Sequence, residues 1–222
     1  MLFAFCTHKG GVGKTTLAVQ AAIWLAEKGV RVGFVDADAQ KSSSVWMKEA
    51  CPELPIFRLV TADEILNQIP EIQAQFDHVV IDGPGALADI IRTILLMTDV
   101  AFLPCGPTLL DLRATDDTIN LLRQAQMIRK GPPRAVLIPN KVKKRHRLTA
   151  DFLATAKDLG VSVSSGIRAL DAYADAVGDG TVPWHMGPKA LNAAIEIQQL
   201  FAEIFKDVFT TEETLGRRVE NG

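Results

Sequence analysis

The chain has 222 residues, is 48% hydrophobic and carries 24 basic against 26 acidic side chains, a formal net charge of −2. That length and apolar content suit one domain with a sizeable core, and the charge balance excludes a polycation, so nucleic-acid binding would have to come from a local patch. Three cysteines, Cys6, Cys51 and Cys105, lack paired spacing and fit a reducing cytosol; with no secretory leader ahead of the first strand, a cytoplasmic location is expected.

In chain order, Leu2 to Cys6 reads as a buried strand, His8 to Thr16 as a glycine-rich loop, and Leu17 to Ala26 as a helix closed by Gly29. A second strand, Val30 to Val35, runs into Asp36-Ala37-Asp38-Ala39-Gln40, and Ser42 to Ser44 offer caps for a short helix through Met47. Ile56 to Leu59 is a short strand. Thr61 and Glu64 form a capping box for a helix toward Ile69. Phe76 to Asp82 is a buried strand broken by Gly83-Pro84-Gly85, and a helix follows to about Met97. The apolar region near residues 86–103 is interrupted by Asp89, Arg92 and Asp99, too polar to span a membrane. Val100 to Pro104 is a strand, and residues 111–129 have helical periodicity with Leu112, Thr115, Ile119, Leu122, Ala125 and Ile128 on one face. Ala135 to Pro139 is a strand, followed by a basic run from Lys141 to Arg147. Thr149 opens a helix ending at Gly160, Val161 to Val163 is a last strand, and Pro188 opens a final helix with Leu191, Ile195, Leu200, Ile204 and Val208 as its apolar stripe. Strands alternating with helices predict an α/β fold: a doubly wound, mostly parallel sheet with helices on both faces.

The loop after the first strand carries the chemistry. Residues 10–15 read G-G-V-G-K-T, a variant of the phosphate-binding loop. Gly10, Gly11 and Gly13, with Val12 between them, let backbone N–H groups turn inward onto an anion, and the helix N-terminus beyond Thr16 adds partial positive charge. Lys14 would reach β- and γ-phosphates, and the Thr15 hydroxyl would ligate Mg²⁺. Asp82 closes an apolar strand where a nucleotide-site carboxylate would hold Mg²⁺ through water. Asp36 and Asp38 also end a strand, so all three carboxylates can converge on the loop. Two carboxylates beside such a site can organise the metal's waters and the attacking water. No His/Cys cluster has metal-ligand spacing, and Trp24, Trp46 and Trp184 read as packing residues.

With Lys9 included, K-G-G-x-G-K-T-T resembles the deviant Walker A loop of the ParA/MinD ATPases, within the P-loop NTPase fold. The segment Asp36 to Gln40 is similar to that family's D-x-D-P-Q, with Ala39 in place of the proline. Leu103 to Leu112 resembles its P-x-x-P-S-x-x-D-L segment. The resemblance implies ATP and Mg²⁺ as cofactors and an ATP-dependent homodimer in which Lys9 reaches the partner's nucleotide. It further implies that Asp38 orients the hydrolytic water, that Asp36 supports Mg²⁺ or the loop, and that Pro139-Asn140 contacts adenine. Residues 1–210 would form one ParA-like domain without an N-terminal helix-turn-helix extension, and 211–222 a polar, flexible tail.

The family further implies non-specific DNA binding, a nucleoid location in the ATP state, and a ParB-like or other adaptor that stimulates hydrolysis, all in the service of positioning a plasmid, chromosome or protein assembly. For the DNA surface, Lys141, Lys143, Lys144, Arg145 and Arg147 place five cations in seven positions, a density that asks for a polyanion. Arg168 resembles the family's DNA-contacting arginines. A MinD-like membrane cycle is the alternative, but TTEETLGRRVENG at the end of the chain offers little apolar face, so a membrane is not expected as partner. A redox ATPase would need cluster cysteines, yet Gly85 stands in the place where one is required.

Overall fold

The structure is a computed structural model that describes residues 1–142, 154–156 and 159–209. Its strands are β1 (Leu2–Phe5), β2 (Val32–Asp36), β3 (Ile56–Arg58), β4 (His78–Asp82), β5 (Val100–Cys105), β6 (Arg134–Pro139) and β7 (Ser162–Val163). They form one seven-stranded sheet in the order β3-β2-β4-β1-β5-β6-β7, and every pairing is parallel. The helices are α1 (Lys14–Glu27), α2 (Ser42–Ala50), α3 (Ala62–Gln73), α4 (Ala88–Met97), α5 (Leu109–Arg129), α6 (Ala172–Gly178) and α7 (Leu191–Ile204).

A parallel sheet covered on both faces needs near-continuous apolar strands, and the alternation within them assigns each side chain to a layer. In β1, Phe3 and Phe5 join Phe34, Val80 and Phe102 under α1, α2 and α7, whereas Leu2 and Ala4 join Val79, Ile81, Ala101 and Leu103 under α3, α4 and α5. The first layer is sealed by Phe205, which meets Phe3 edge-on at 5.0 Å and Phe102 at 5.3 Å. Burying one such ring contributes roughly 1.5–3 kcal/mol.

Local rules account for most boundaries. Thr61 and Glu64 form the expected capping box, and α3 continues through Pro70 because Ile69 and Ile72 at and beyond its expected end are buried. A second capping box, Thr108 with Asp111, starts α5 at Leu109, two residues before the periodicity suggests. A Cβ on Gly106 would fall 2.4 Å from Asp111 Oδ2, so the approach to that cap requires glycine.

Several expectations are corrected. The serines at 42–44 are not caps: the N-cap of α2 is Lys41, in a left-handed conformation, and Ser43 and Ser44 are buried. Ile128 is 67% exposed, and the buried face of α5 ends at Ala125. The final helix starts at Leu191 after two 3-10 turns, and its buried stripe is Ala193, Ile197, Leu200 and Phe201; Leu191 and Ile195 are 57% and 48% exposed. A stripe read from bulky residues alone passes over the alanine that lets this helix approach the sheet. Helix α6 has no strong periodicity and does not stand out in the sequence. The helix expected from Thr149 begins outside the described residues, as do Lys143, Lys144, Arg145, Arg147 and the tail from 211 onward.

Candidate functional site: a phosphate loop facing three carboxylates

The sheet order sets β2, β4 and β1 side by side, so their carboxyl ends open on one crevice. In register, Phe5 pairs with Asp82 and Asp82 pairs with Asp36. The row therefore runs from the start of the glycine loop across both strand-end acids. Above it lies a cavity of about 1110 Å³, whose wall includes Lys14, Thr15, Asp38, Asn140 and Arg168.

The loop turns as its glycines allow. Gly11 and Gly13 have φ of 74° and 90°, and Gly13 is the N-cap of α1. The helix therefore starts at Lys14, three residues ahead of its apolar run, and aims its first N–H groups at the cavity. The space beside the loop is open, since a Cβ on Gly10 or Gly11 meets nothing within 4 Å. Lys14 is buried, and its Nζ donates to the Lys9 carbonyl at 3.0 Å. Burial lowers the Lys14 pKa, and Asp82 and Asp38 pull it back up. The Lys9 side chain is exposed at the rim.

Asp82 is fully buried. Its Oδ2 accepts from the Thr15 hydroxyl at 2.8 Å, and its Oδ1 has no partner. Burial pushes the Asp82 carboxyl up to about 7, with Asp36 adding to the rise and the Thr15 hydrogen bond and the nearby Ser43 hydroxyl opposing it. A buried carboxylate with an orphaned oxygen, hydrogen-bonded to a loop threonine, fits a site for a hard divalent cation with oxygen ligands. Asp36 sits differently. Its Oδ1 accepts from Asp38 N–H at 3.1 Å, while its Oδ2 takes both the N–H and the hydroxyl of Ser44 and lies 3.7 Å from Arg58 Nη1. Asp36, expected to support Mg²⁺ or the loop, has both oxygens engaged with the segment that carries Asp38 and with Ser44 and Arg58. Asp38 lines the cavity and accepts from Gln40 N–H through Oδ1 at 2.9 Å.

Pro139 ends β6, and Asn140, buried, is the next residue. Asn140, expected to contact adenine, lines the cavity, donates Nδ2–H to the Val12 carbonyl at 2.6 Å and accepts from Lys141 N–H at 2.7 Å. A Cβ on Gly13 would come within 2.2 Å of that amide nitrogen. Lys141, expected on a DNA surface, adopts a left-handed φ of 59° and donates its ammonium to the Gly11 carbonyl at 2.8 Å. Arg168, expected with it, lies in the cavity wall, where its Nε donates to Glu196 Oε1 at 3.0 Å. Lys141 stays exposed while making its contact, and Arg168 is partly buried. Ser43, Ser44, Arg58 and the 170–174 wall carry no strong signal in the sequence; a serine triplet just after D-x-D is the available one.

Comparison with known proteins agrees with this geometry. Residues 3–184 match the CobQ/CobB/MinD/ParA nucleotide binding domain. The Maintenance of carboxysome distribution protein A of Halothiobacillus neapolitanus is 34% identical over 210 residues, covering 90% of this chain and 94% of that protein. Its namesake from Gloeobacter kilaueensis is 30% identical over 92% of this chain and 94% of its own length. Among solved structures, a McdA variant from Cyanothece in complex with ATP has a TM-score of 0.76 at 16% identity, over 91% of this chain and 95% of that one. The MinC:MinD cell division protein complex of Aquifex aeolicus gives 0.74 at 18% identity, over 92% and 96%. These structures share the fold, and the family match spans the glycine loop, the strand-end acids and Asn140: the chain belongs to the CobQ/CobB/MinD/ParA family of nucleotide-binding domains.

Proposed function

We infer that the protein is a ParA-like ATPase that uses ATP and Mg²⁺ to position a cargo. The convergence of Lys14, Thr15 and Asp38 on one cavity, with Asp82 hydrogen-bonded to Thr15 behind it, carries this reading, since phosphoryl transfer needs positioning and charge stabilisation more than covalent help. The loop N–H groups and Lys14 hold the phosphates. When bound, Mg²⁺ supplies charge neutralisation between the phosphate oxygens, with Thr15 and Asp82 as the residues that hold it. Asp38 orients the water that attacks the terminal phosphorus, and the bridging oxygen leaves with ADP. Asp36, Ser44 and Arg58 keep Asp38 in place.

Lys9, exposed at the rim, is available to reach the nucleotide of a second copy, which supports an ATP-dependent homodimer. The names of the two relatives favour a protein assembly as cargo over a plasmid, with an adaptor as the stimulating partner and a cytoplasmic, nucleoid-bound location. Non-specific DNA would be the matrix. With Lys141 and Arg168 engaged at the crevice, the proposed DNA surface rests on Lys143, Lys144, Arg145 and Arg147. Among the described residues no helix is long and apolar enough to cross a membrane.

Titrating non-specific duplex DNA with the protein in Mg·ATP and in Mg·ADP tests the reading. Binding should require ATP, lack sequence preference and weaken with salt at a slope of about −0.9 per phosphate neutralised. Replacing Lys143, Lys144 and Arg145 by Ala should flatten the slope and leave ATP turnover intact. ATP-dependent binding to anionic vesicles without DNA binding would favour the membrane cycle instead.

A further inference from the structure

Residues 167–171 form one wall of the nucleotide cavity, and their segment is gripped from two sides. Towards the sheet, Ile167 N–H donates to the Pro139 carbonyl at 2.9 Å, and Ala169 N–H to the Val142 carbonyl at 3.2 Å. Gly166, with φ of 72°, passes so close to Pro139 that a Cβ would fall 2.3 Å from its carbonyl oxygen. On the other side stand two glutamates of α7, about two turns apart on one face. Glu203 Oε2 takes both the N–H and the hydroxyl of Ser165, at 3.1 and 2.6 Å. Glu196 Oε1 takes the N–H and the Nε–H of Arg168, at 3.1 and 3.0 Å, and its Oε2 accepts from the Tyr173 hydroxyl at 3.4 Å. Arg168 and Tyr173 line the cavity, and Glu196 stands behind them. One carboxylate thus ties two wall residues together through charge-assisted bonds.

Lys14 and Thr15 mark the phosphate end of the cavity. Residues 84–87 belong to that end, since a Cβ on Gly85 would lie 3.6 Å from Lys14 Nζ. The Asp38 side is polar, with Gln40 and Ser42 beside the acid, whereas the remaining side offers Ile167, Leu170, Tyr173 and Val177. A nucleobase is a planar ring with an apolar face, and it suits that last surface. We propose that Glu196 is a positioning residue of the nucleoside end: it holds Arg168 and Tyr173 from behind and so fixes the wall against which base and sugar lie. This rests on the ATP reading above. It makes α7 part of the nucleotide site although the cavity wall contains none of its residues.

The test is calorimetric titration of the full chain, in Mg²⁺, with a non-hydrolysable ATP analogue and separately with tripolyphosphate, which has the phosphates without the nucleoside. Wild type should bind the analogue more tightly. Glu196→Ala should bind the analogue about five- to tenfold more weakly and tripolyphosphate as wild type does. Glu196→Gln keeps the shape and an acceptor for the Arg168 N–H, so it should show the same split at a smaller loss. Should Glu196→Ala fail to fold, Glu196→Gln carries the comparison. Unchanged analogue affinity in both variants would overturn the proposal. Equal losses for the two ligands would overturn it too, because Glu196 would then support the fold or the phosphate loop. Equal wild-type affinity for analogue and tripolyphosphate would remove the nucleoside wall itself. A wild type that binds neither ligand would instead defeat the ATP reading on which the proposal stands.

Discussion

Asp36 and Asp82 are register partners on adjacent parallel strands, yet their carboxylates do opposite work. Asp36 has both oxygens occupied by Ser44, Asp38 N–H and Arg58, whereas Asp82 keeps one oxygen bare in a fully buried position. The difference originates in the segment beyond the end of each strand. β2 leads into a turn that folds back over Asp36, while β4 leads into Gly83-Pro84-Gly85, which leaves Asp82 facing Thr15.

Lys14→Ala should weaken nucleotide binding at least about a hundredfold, since a charge-assisted contact to phosphate is worth roughly 1.5–3 kcal/mol and Lys14 serves more than one oxygen. Calorimetry reads this directly. Lys9→Ala should bind nucleotide like wild type but form less ATP-dependent dimer by light scattering. A normal dimer in that variant would remove the proposed role of Lys9 in the partner's site.

Asp38→Ala should bind Mg·ATP, dimerise and turn over about a hundredfold more slowly, within the range for losing a positioned acid–base group. The ATP-bound dimer then accumulates. Phosphate release at the wild-type rate would assign water positioning to another residue.

Asn140→Ala should lower the unfolding free energy by about 1–3 kcal/mol, because the Val12 carbonyl and the Lys141 N–H lose their partner together. Nucleotide affinity should fall as well, since residues 11–13 lose their outer support. Denaturant midpoints and calorimetry separate the two effects. A stable variant with reduced affinity would return Asn140 to the base-contacting role expected from the sequence.

His78 provides a pH signature away from the site. Burial, with the Met1 ammonium 3.0 Å from its Nδ1, lowers its pKa to about 4 from an ordinary 6.5. The folded state thus disfavours the imidazolium. The associated stability is complete above pH 6.5 and is lost as pH falls toward 4. His78→Gln should flatten that limb of a Tm-against-pH curve; an unchanged limb would place its origin in the carboxylates.

The sheet and the phosphate loop are legible in the sequence because their signals are local. Apolar runs of strand length alternate with helical segments, and glycine spacing dictates the loop. Asp82 is legible for the same reason, as the polar end of a buried strand. The contacts of Asn140, Lys141 and Arg168 are not, because proximity to the loop and to Glu196 is created only by the order of the sheet. The isolated bridge between Val142 and Arg168 brings these segments together from distant parts of the chain, and no periodicity reports it. Ser43 is hidden by its neighbours: a serine run before a helix reads as caps until Lys41 is seen to take that place.

The three cysteines are buried and unbonded, and burial lifts their thiols to about 12 for Cys6 and about 11 for Cys51 and Cys105. Near neutral pH almost none of them is thiolate, the form that reacts with alkylating probes. The native chain is therefore a quiet background for maleimide chemistry. One exposed thiol, introduced as Leu110→Cys on α5, would accept a single fluorophore, and energy transfer between labelled copies would track assembly and disassembly in real time.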